Sequence, residues 1–227
     1  EKKDYCIGEI ESVTTGSHDR IQPACPHFSL CGGCSYLHVP YEKELDFKKV
    51  ILMDALYRIA GMSPDGVPAV DVMFDGRFNY RSLASLKARH GVAGFFRKGS
   101  NDLVPIAETG CLLLHEALNR RIRGMEAPAS DFRIAIDCSD TVVSSFDDRP
   151  IVLEKEDGLR FTRGIDQFFQ ANRRLRGALL GRVTALAGSG GTAEFLDIGC
   201  GVGFFTLPLA RVSKQGLGVD INDGSIR

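Results

Sequence analysis

The sequence predicts an α+β domain followed by the beginning of an α/β domain of Rossmann-like design. The α+β domain is indicated by strand-like segments that recur between residues 70 and 160. The α/β domain is indicated by a strand, a glycine-rich turn, a helix and a second strand within residues 193–221. A loop with three closely spaced cysteines, at residues 25–34, predicts a bound metal centre ahead of both.

The predicted α+β domain has mostly strands, with one helix at about residues 112–123. Apolar residues recur in short runs separated by glycine, asparagine and aspartate, which is typical of an antiparallel-rich sheet. The strand-like runs are residues 70–74, 82–87, 92–96, 132–136, 142–146 and 151–154.

The chain ahead of this domain has a short β-like piece at residues 5–13 and a polar connector at 14–23. Residues 42–60 predict a helix, because Leu45, Leu52 and Leu56 recur at helical spacing and Gly61 supplies a stop.

The composition is that of an ordinary soluble protein, with 44% apolar and 25% charged residues in 227. No run approaches the ~20 apolar residues of a membrane span, and no secretory signal opens the chain. The cysteines are clustered like metal ligands rather than spread as a disulfide framework, so we expect a cytoplasmic protein. A monomer is favoured. The net charge of −1 gives no general sign of a nucleic-acid partner.

The cysteine loop has the spacing C-x5-C-x2-C, formed by Cys25, Cys31 and Cys34. Thiolates that converge in this way hold an iron–sulfur cluster or a zinc ion, and both normally need a fourth ligand. The spacing matches neither type of ferredoxin and is longer than the usual zinc-ribbon gap. Iron–sulfur and zinc are therefore both open, and the alternative is three ordinary surface thiols.

The fourth ligand is predicted to be Cys111, which follows a glycine where a strand or loop passes into a helix. Cys138 lies in an alternating segment and is predicted to be a half-buried structural thiol. Cys6 lies in the strand-like opening, and Cys200 lies between glycines in a loop with another role.

A basic stretch without any acidic residue lies between Asp75 and Asp102. Its cations neutralise phosphates and its aromatic residues can stack on unpaired bases, so the stretch predicts binding of structured RNA. The alternative is a solvated sheet face with aromatic core residues. The cations are Arg77, Arg81, Lys87, Arg89, Arg97 and Lys98 with His90, and the aromatics are Phe78, Tyr80, Phe95 and Phe96.

A second helix is predicted at residues 166–187. Its arginines either extend the basic surface or are merely solvated. They are Arg173, Arg174, Arg176 and Arg182.

The glycine-rich turn has the pattern G-x-G-x-G at Gly199, Gly201 and Gly203. Asp197 precedes the glycines, and Asp220 ends the next strand. Glycines at a strand end let a ligand approach the backbone, and the crevice beyond parallel strand ends is where such sheets bind ligands. The two acids favour S-adenosylmethionine, with Asp220 accepting hydrogen bonds from the ribose hydroxyls. A nucleotide site and a plain tight turn are the alternatives.

Taken in order, these motifs resemble the RNA uracil-5-methyltransferase family of the TrmA and RumA type, which makes 5-methyluridine in tRNA or rRNA. The motifs are the C-x5-C-G-G-C loop with a later single cysteine, Asn79-Tyr-Arg81 with Gly94-Phe-Phe-Arg97-Lys98, Phe168-Phe-Gln170-Ala-Asn172, and Leu196-Asp-Ile-Gly-Cys-Gly-Val-Gly203.

The resemblance implies a site for each group of residues. A [4Fe-4S] cluster would be held by Cys25, Cys31, Cys34 and Cys111 and would have a structural role. S-adenosylmethionine would be bound by Gln170, Asp197, Gly199, Gly201, Gly203, Phe204 and Asp220. The RNA would be contacted by Arg81, Arg89, Arg97 and Lys98.

The resemblance also implies a mechanism. A cysteine thiolate adds to carbon 6 of uracil, carbon 5 attacks the sulfonium methyl, a general base removes the carbon-5 proton, and the cysteine is expelled. The target base would be flipped out of its stack. In this family the nucleophilic cysteine and the glutamate base lie beyond the position of Arg227. We therefore assign neither residue, reject Cys200 as nucleophile, and expect this 227-residue chain to be a fragment that is inactive alone.

The predicted domains are an N-terminal β piece (1–24), the cysteine loop (25–38), the central RNA-binding domain (39–164) and part of a class I methyltransferase domain (165–227). Two other functions remain open. One is a non-catalytic iron–sulfur module that binds RNA, and the other is a zinc-containing methyltransferase with a different substrate.

Overall fold

The computed structural model describes residues 8, 10–67, 69–188 and 194–226. The chain forms two compact units, Glu1–Phe28 with Cys34–Val70 and Ser29–Gly33 with Asp71–Arg227. Within the described residues, no helix is both long enough and apolar enough to cross a membrane.

The first unit contains helix α1 (Tyr41–Arg58) and a short 3₁₀ turn, Pro64–Gly66. Helix α1 confirms the helix predicted at residues 42–60. The β-like piece predicted at 5–13 falls largely outside the described residues, and residues 10–13 form no strand.

The second unit is built on a five-stranded antiparallel sheet in the order β3-β2-β1-β4-β5. The sheet packs helix α2 (Glu116–Arg123) against one face, where Leu118 and Ile122 meet Leu86 and Ile134 in one apolar core. The strands are β1 (Leu83–Arg89), β2 (Val92–Phe96), β3 (Leu103–Pro105), β4 (Phe132–Ile136) and β5 (Val142–Ser144). The antiparallel-rich sheet was expected, but residues 70–74 form no strand and Phe74 is exposed.

A separate hairpin follows, made of β6 (Ile151–Glu156) and β7 (Leu159–Gly164). Its two-residue turn, Asp157 and Gly158, has φ of 47° and 71°. Two positive φ angles are what a tight hairpin turn that matches the strand twist requires, which is why the pair Asp-Gly is suited to it.

Helix α3 (Arg176–Gly188) begins ten residues later than the sequence predicted. Residues 166–171 form no helix: a turn closes at Gln167, and the backbone at residues 171 and 173 is hydrogen-bonded to another segment. Ser82 N–H donates to Ala171 O at 3.0 Å, and Arg173 N–H donates to Tyr80 O at 3.0 Å. A short 3₁₀ turn, Arg173–Leu175, then leads into α3.

The last elements are β8 (Glu194–Ile198), α4 (Thr206–Ala210), β9 (Gln215–Val219) and α5 (Asp223–Ile226). Strands β8 and β9 pair in parallel, and the glycine-rich turn joins β8 to α4. The predicted order of strand, turn, helix and strand is therefore present.

Candidate functional site

The glycine-rich turn has an open, left-handed backbone. Gly199, Gly201 and Gly203 have φ of 79°, 54° and 83°, which side chains rarely allow. Gly199 N–H donates to Val219 O at 2.7 Å, so the turn is tied to the end of β9. No heavy atom lies within 4 Å of the position that a Cβ would take at Gly199 or Gly201. The turn can therefore accept a ligand against its backbone.

Two carboxylates hold this turn in shape. Asp220 Oδ2 accepts from Gly201 N–H at 2.7 Å, and Asp220 Oδ1 accepts from Asn222 N–H at 2.8 Å. These bonds, that from Asn222 first, lower the pKa of Asp220, so the carboxylate is ionised. Each oxygen keeps capacity for a further hydrogen bond, as a ribose hydroxyl would need. Asp197 Oδ2 accepts from Thr206 Oγ1 at 2.6 Å and anchors the start of α4.

Phe204, which the resemblance assigns to the cofactor site, has its ring in the core. It is buried and packs edge-on against Phe169, with ring centroids 5.2 Å apart, and against Phe161 at 6.1 Å. These two partners come from remote segments, so local sequence could not indicate where the ring points. The contact joins the glycine-rich turn to the segment that carries Gln170.

The segment Phe168–Asn172 has no regular secondary structure, and its end pairs with residues 80–82. Phe168 is 74% exposed, Phe169 is buried and Gln170 is half-buried. Asn172 Oδ1 accepts from Arg174 N–H at 3.2 Å and caps the turn before α3.

Three charged side chains are buried behind this segment. Glu154, Arg163 and Arg176 are 3%, 1% and 2% exposed. Arg163 Nη2 donates to Glu154 Oε1 at 2.9 Å, and Arg176 Nη1 donates to Glu154 Oε2 at 2.7 Å. Arg176 therefore neither extends a basic surface nor is solvated, so both interpretations considered for this arginine are wrong. Glu154 and Arg163 were not among the predicted site residues. Each lies two positions from a buried residue on the same face of its strand, Val152 and Phe161 respectively.

Within the second unit, the part of the cysteine loop from Ser29 to Gly33 is hydrogen-bonded to the end of strand β2 and to the residues that follow it. Gly32 N–H donates to Phe96 O at 3.0 Å, and Lys98 N–H donates to Leu30 O at 2.8 Å. Gly33 N–H donates to Cys31 Sγ at 3.4 Å, a kind of bond that also tunes cluster sulfurs. Neither Gly32 nor Gly33 has positive φ, and the left-handed residue of the loop is Ser29 at 76°.

Cys111 is fixed by a buried asparagine. Asn119 Oδ1 accepts from Cys111 N–H at 2.9 Å, and Asn119 Nδ2 donates to Cys111 O at 3.0 Å. The loop before α2 is thereby clamped to the helix, which gives the thiol a defined position at the edge of the apolar core.

The four predicted metal ligands are half-buried and form no disulfide bonds. Soft thiolates of this kind suit iron–sulfur clusters and zinc, so the donor chemistry is appropriate. Among residues 8, 10–67, 69–188 and 194–226, however, no three or more His, Cys, Asp and Glu side chains are grouped so that they could hold a metal ion.

The other cysteines differ from one another. Cys138 is exposed in the turn after β4, so its prediction as a half-buried thiol is wrong. Burial, followed by the charges of Asp197 and Asp220, raises the pKa of the half-buried Cys200 thiol. A raised pKa disfavours the thiolate, which agrees with rejecting Cys200 as nucleophile. Cys6 lies outside the described residues.

The predicted RNA contacts lie in different surroundings. Arg97 and Lys98 are exposed at the end of β2. Arg89 Nη1 lies 2.9 Å from Asp131, which also binds Lys87 at 2.8 Å. The stretch contains no acidic residue in sequence, but in the folded chain Asp131 contacts two of its cations. Arg81 is half-buried, and its backbone forms bridges with both Leu114 and Asn172.

Comparisons with known proteins confirm the resemblance. The chain is 28% identical to an uncharacterized RNA methyltransferase of Aquifex aeolicus, over 100% of this chain and 64% of the relative. It is 26% identical to the 23S rRNA (uracil(1939)-C(5))-methyltransferase RlmD of Methylococcus capsulatus, over 96% of this chain and 61% of the relative. No protein-family model matches.

The fold is similar to that of a solved structure, the tRNA (uracil-54, C5)-methyltransferase of Pyrococcus abyssi in complex with S-adenosyl-L-homocysteine. The TM-score is 0.65 at 20% identity, and the match covers 95% of this chain and 62% of that one. The chain thus spans less than two thirds of the length of each of these proteins.

Proposed function

We propose that the protein is an RNA (uracil-5)-methyltransferase that transfers a methyl group from S-adenosylmethionine to carbon 5 of a uridine in rRNA or tRNA. The observation that carries the proposal is the left-handed glycine turn between two parallel strands, tied to the carboxylate at the end of the second strand. The names of the relatives support RNA as the substrate and uracil as the methylated base.

The cofactor is proposed to lie against the glycine turn. Gly199 and Gly201 would let it approach the backbone, and the ionised Asp220 would accept hydrogen bonds from its ribose hydroxyls. Asp197 would keep the turn in place through Thr206, and Gln170 would reach the cofactor and substrate. Phe204 would act through its packing, because its ring is in the core. S-adenosylmethionine would supply the methyl group.

The RNA is proposed to contact Arg81, Arg89, Arg97 and Lys98. The exposure of Arg97 and Lys98 at the end of β2 supports this role, since cations that contact phosphates must be accessible. Arg89 would exchange its contact with Asp131 for a phosphate.

The iron–sulfur cluster remains a proposal that rests on the cysteine spacing and on the donor chemistry. Cys25, Cys31, Cys34 and Cys111 would hold it, zinc being the alternative, and its role would be structural. No step of the methyl transfer is assigned to it.

Strands β8 and β9 are proposed to belong to a larger parallel sheet of a Rossmann-like methyltransferase domain. Leu196, Ile198 and Leu217 are exposed on this two-stranded pair, and apolar strand residues of this kind are normally covered in a parallel sheet. We retain the domain bounds 1–24, 25–38, 39–164 and 165–227 as proposals. The nucleophile and base would be carried by the rest of the domain, and the enzyme would work in the cytoplasm.

The function is tested with the full-length polypeptide and RNA from a strain that lacks its gene. We expect new 5-methyluridine, detected by nucleoside mass spectrometry, and binding of S-adenosylhomocysteine in calorimetry. The Asp220→Ala variant should bind at least about tenfold more weakly, because two or more ribose hydrogen bonds at about 1 kcal/mol each are lost. The matched control is Asp223→Ala, an exposed carboxylate in α5 that should leave affinity unchanged. Protein that binds RNA but neither binds S-adenosylhomocysteine nor methylates uridine would favour the non-catalytic module.

The cluster is tested separately by iron and sulfide analysis of protein purified without oxygen. Cys111→Ser should lose the iron, whereas Cys138→Ser, at an exposed thiol, should keep it. Zinc without iron, together with failed reconstitution, would contradict the iron–sulfur proposal.

A further inference from the structure

We infer that Arg176 is a positioning residue that presents Gln170 to the cofactor and substrate site. The inference rests on the proposed function and adds to it a side chain that touches neither cofactor nor RNA. Four contacts of the buried guanidinium carry it.

The three nitrogens of the Arg176 guanidinium bind three different parts of the chain. Nε donates to Gln170 O at 2.6 Å, Nη1 donates to Glu154 Oε2 at 2.7 Å, and Nη2 donates to Ser82 Oγ at 2.7 Å. The Arg176 guanidinium thus joins the segment beside Gln170, the β6–β7 hairpin, and Ser82, which is the residue before β1. A planar guanidinium with donors in a rigid fork is suited to this, whereas a lysine ammonium is not.

A second buried guanidinium holds the other end of the same segment. Arg163 binds Glu154 and has its Nη1 3.4 Å from both Gly164 O and Gln167 O. The carbonyls of Gln167 and Gln170 therefore both accept from arginines that share one carboxylate. Ala171 O, the next carbonyl, accepts from Ser82 N–H at 3.0 Å. The backbone is thus held at Gln167, Gln170 and Ala171.

The Phe169 ring holds this segment against the two buried guanidiniums. The guanidinium carbon of Arg176 lies 4.6 Å from the ring centroid, and that of Arg163 lies 5.4 Å from it. The ring also packs against Phe204 at 5.2 Å. Cation–π and aromatic contacts hold Phe169 inward. The Gln170 side chain is only half-buried, whereas that of its neighbour Phe169 is buried. Arg176 thereby holds the backbone that carries Gln170, directly at the Gln170 carbonyl and indirectly through the Phe169 ring.

The experiment uses calorimetry with S-adenosylhomocysteine on the full-length protein and the variants Arg176→Lys, Gln170→Ala and their double variant. We expect Arg176→Lys to weaken binding about tenfold, since the point charge of lysine cannot hold the Gln170 carbonyl in place. Gln170→Ala should weaken binding similarly, and the double variant should be no weaker than Gln170→Ala alone. Such non-additivity is the signature of one residue acting through another.

Two controls separate positioning from stability. Arg160→Lys changes an exposed arginine of the same hairpin and should change nothing. Leu118→Ala opens the sheet core at a fully buried position, so it should lower the melting temperature but not the affinity of the folded protein. In ligand-free protein, Arg176→Lys should also shift the backbone amide NMR signals of Gln170 and Ala171.

The outcomes are distinct. Wild-type protein that fails to bind S-adenosylhomocysteine overturns the proposed function and this inference together. Wild-type binding that Arg176→Lys leaves unchanged, or losses that add in the double variant, overturn the inference and leave the function standing. If Arg176→Lys does not fold, Ser82→Ala takes its place, because it removes one partner of the fork, and the same additivity test decides.

Discussion

Two regions of the second unit contain the same set of charges in opposite surroundings. In each, two cations share one carboxylate: Arg163 and Arg176 bind Glu154, and Lys87 and Arg89 bind Asp131. The Glu154 side chain is 2% exposed, whereas the Asp131 side chain is 39% exposed. The chemistry is alike, and only the access of water differs.

The difference shows what each group can do. At Asp131, water solvates all three charges, so the ion pairs contribute little to the free energy of folding. Either cation can therefore exchange Asp131 for another partner, such as a phosphate. At Glu154, each charge has lost its water and depends on the others. The exposed set is therefore suited to binding, whereas the buried set is suited to fixing the geometry of the backbone beside it.

The largest difference between the two sets is expected in the loss of stability when the shared carboxylate is removed. Glu154→Ala leaves two buried guanidiniums without their counter-charge, so we expect the free energy of unfolding to fall by about 3–5 kcal/mol. Denaturant unfolding followed by circular dichroism measures it. Asp131→Ala is the matched control, and its unfolding midpoint should change far less. Equal losses at the two sites would show that burial does not distinguish them.

A weaker effect is expected when the whole buried set is made apolar. Glu154→Leu combined with Arg163→Met and Arg176→Met removes all three charges together, so no charge is left unpaired. Stability should return to within about 2 kcal/mol of the wild type, because apolar replacement of a buried ionic triad is often neutral or favourable. Affinity for S-adenosylhomocysteine should stay low, since methionine cannot hold the Gln170 carbonyl. Recovery of both properties would mean that the Arg176 guanidinium is not needed to position Gln170.

The features that the sequence could predict are those decided by local pattern. Helix α1, the antiparallel sheet and the turn between β8 and α4 all follow from apolar spacing and glycine positions. The acids Asp197 and Asp220 are tied to that turn for the same reason, since both end strands that flank it.

The features that the sequence could not predict depend on partners far along the chain. Helix α3 starts late because residues 80–82 bind the backbone of residues 171–173. Arg176 has the spacing of a solvated helix residue, and only the hairpin that brings Glu154 to it makes it buried. Asp131 lies beyond the acid-free stretch in sequence, yet the pairing of β4 with β1 brings it to Lys87 and Arg89.

The smallest expected effect is the change in stability when acid protonates Asp131, the carboxylate of the exposed set. Hydrogen bonds, that from Lys87 first, lower the pKa of Asp131 from 3.8 to about 2. A carboxyl whose pKa is lowered on folding stabilises the protein above its unfolded pKa, and that contribution is lost as the pH falls through its folded pKa. For Asp131 the contribution should therefore be complete above about pH 4 and gone near pH 2. An NMR titration of the Asp131 carboxyl carbon should give a midpoint near 2 in the wild type and a clearly higher one in Lys87→Ala. A wild-type midpoint near 3.8 would mean that even this contact is lost to water, and the exposed set would then hold its cations more loosely than its geometry indicates.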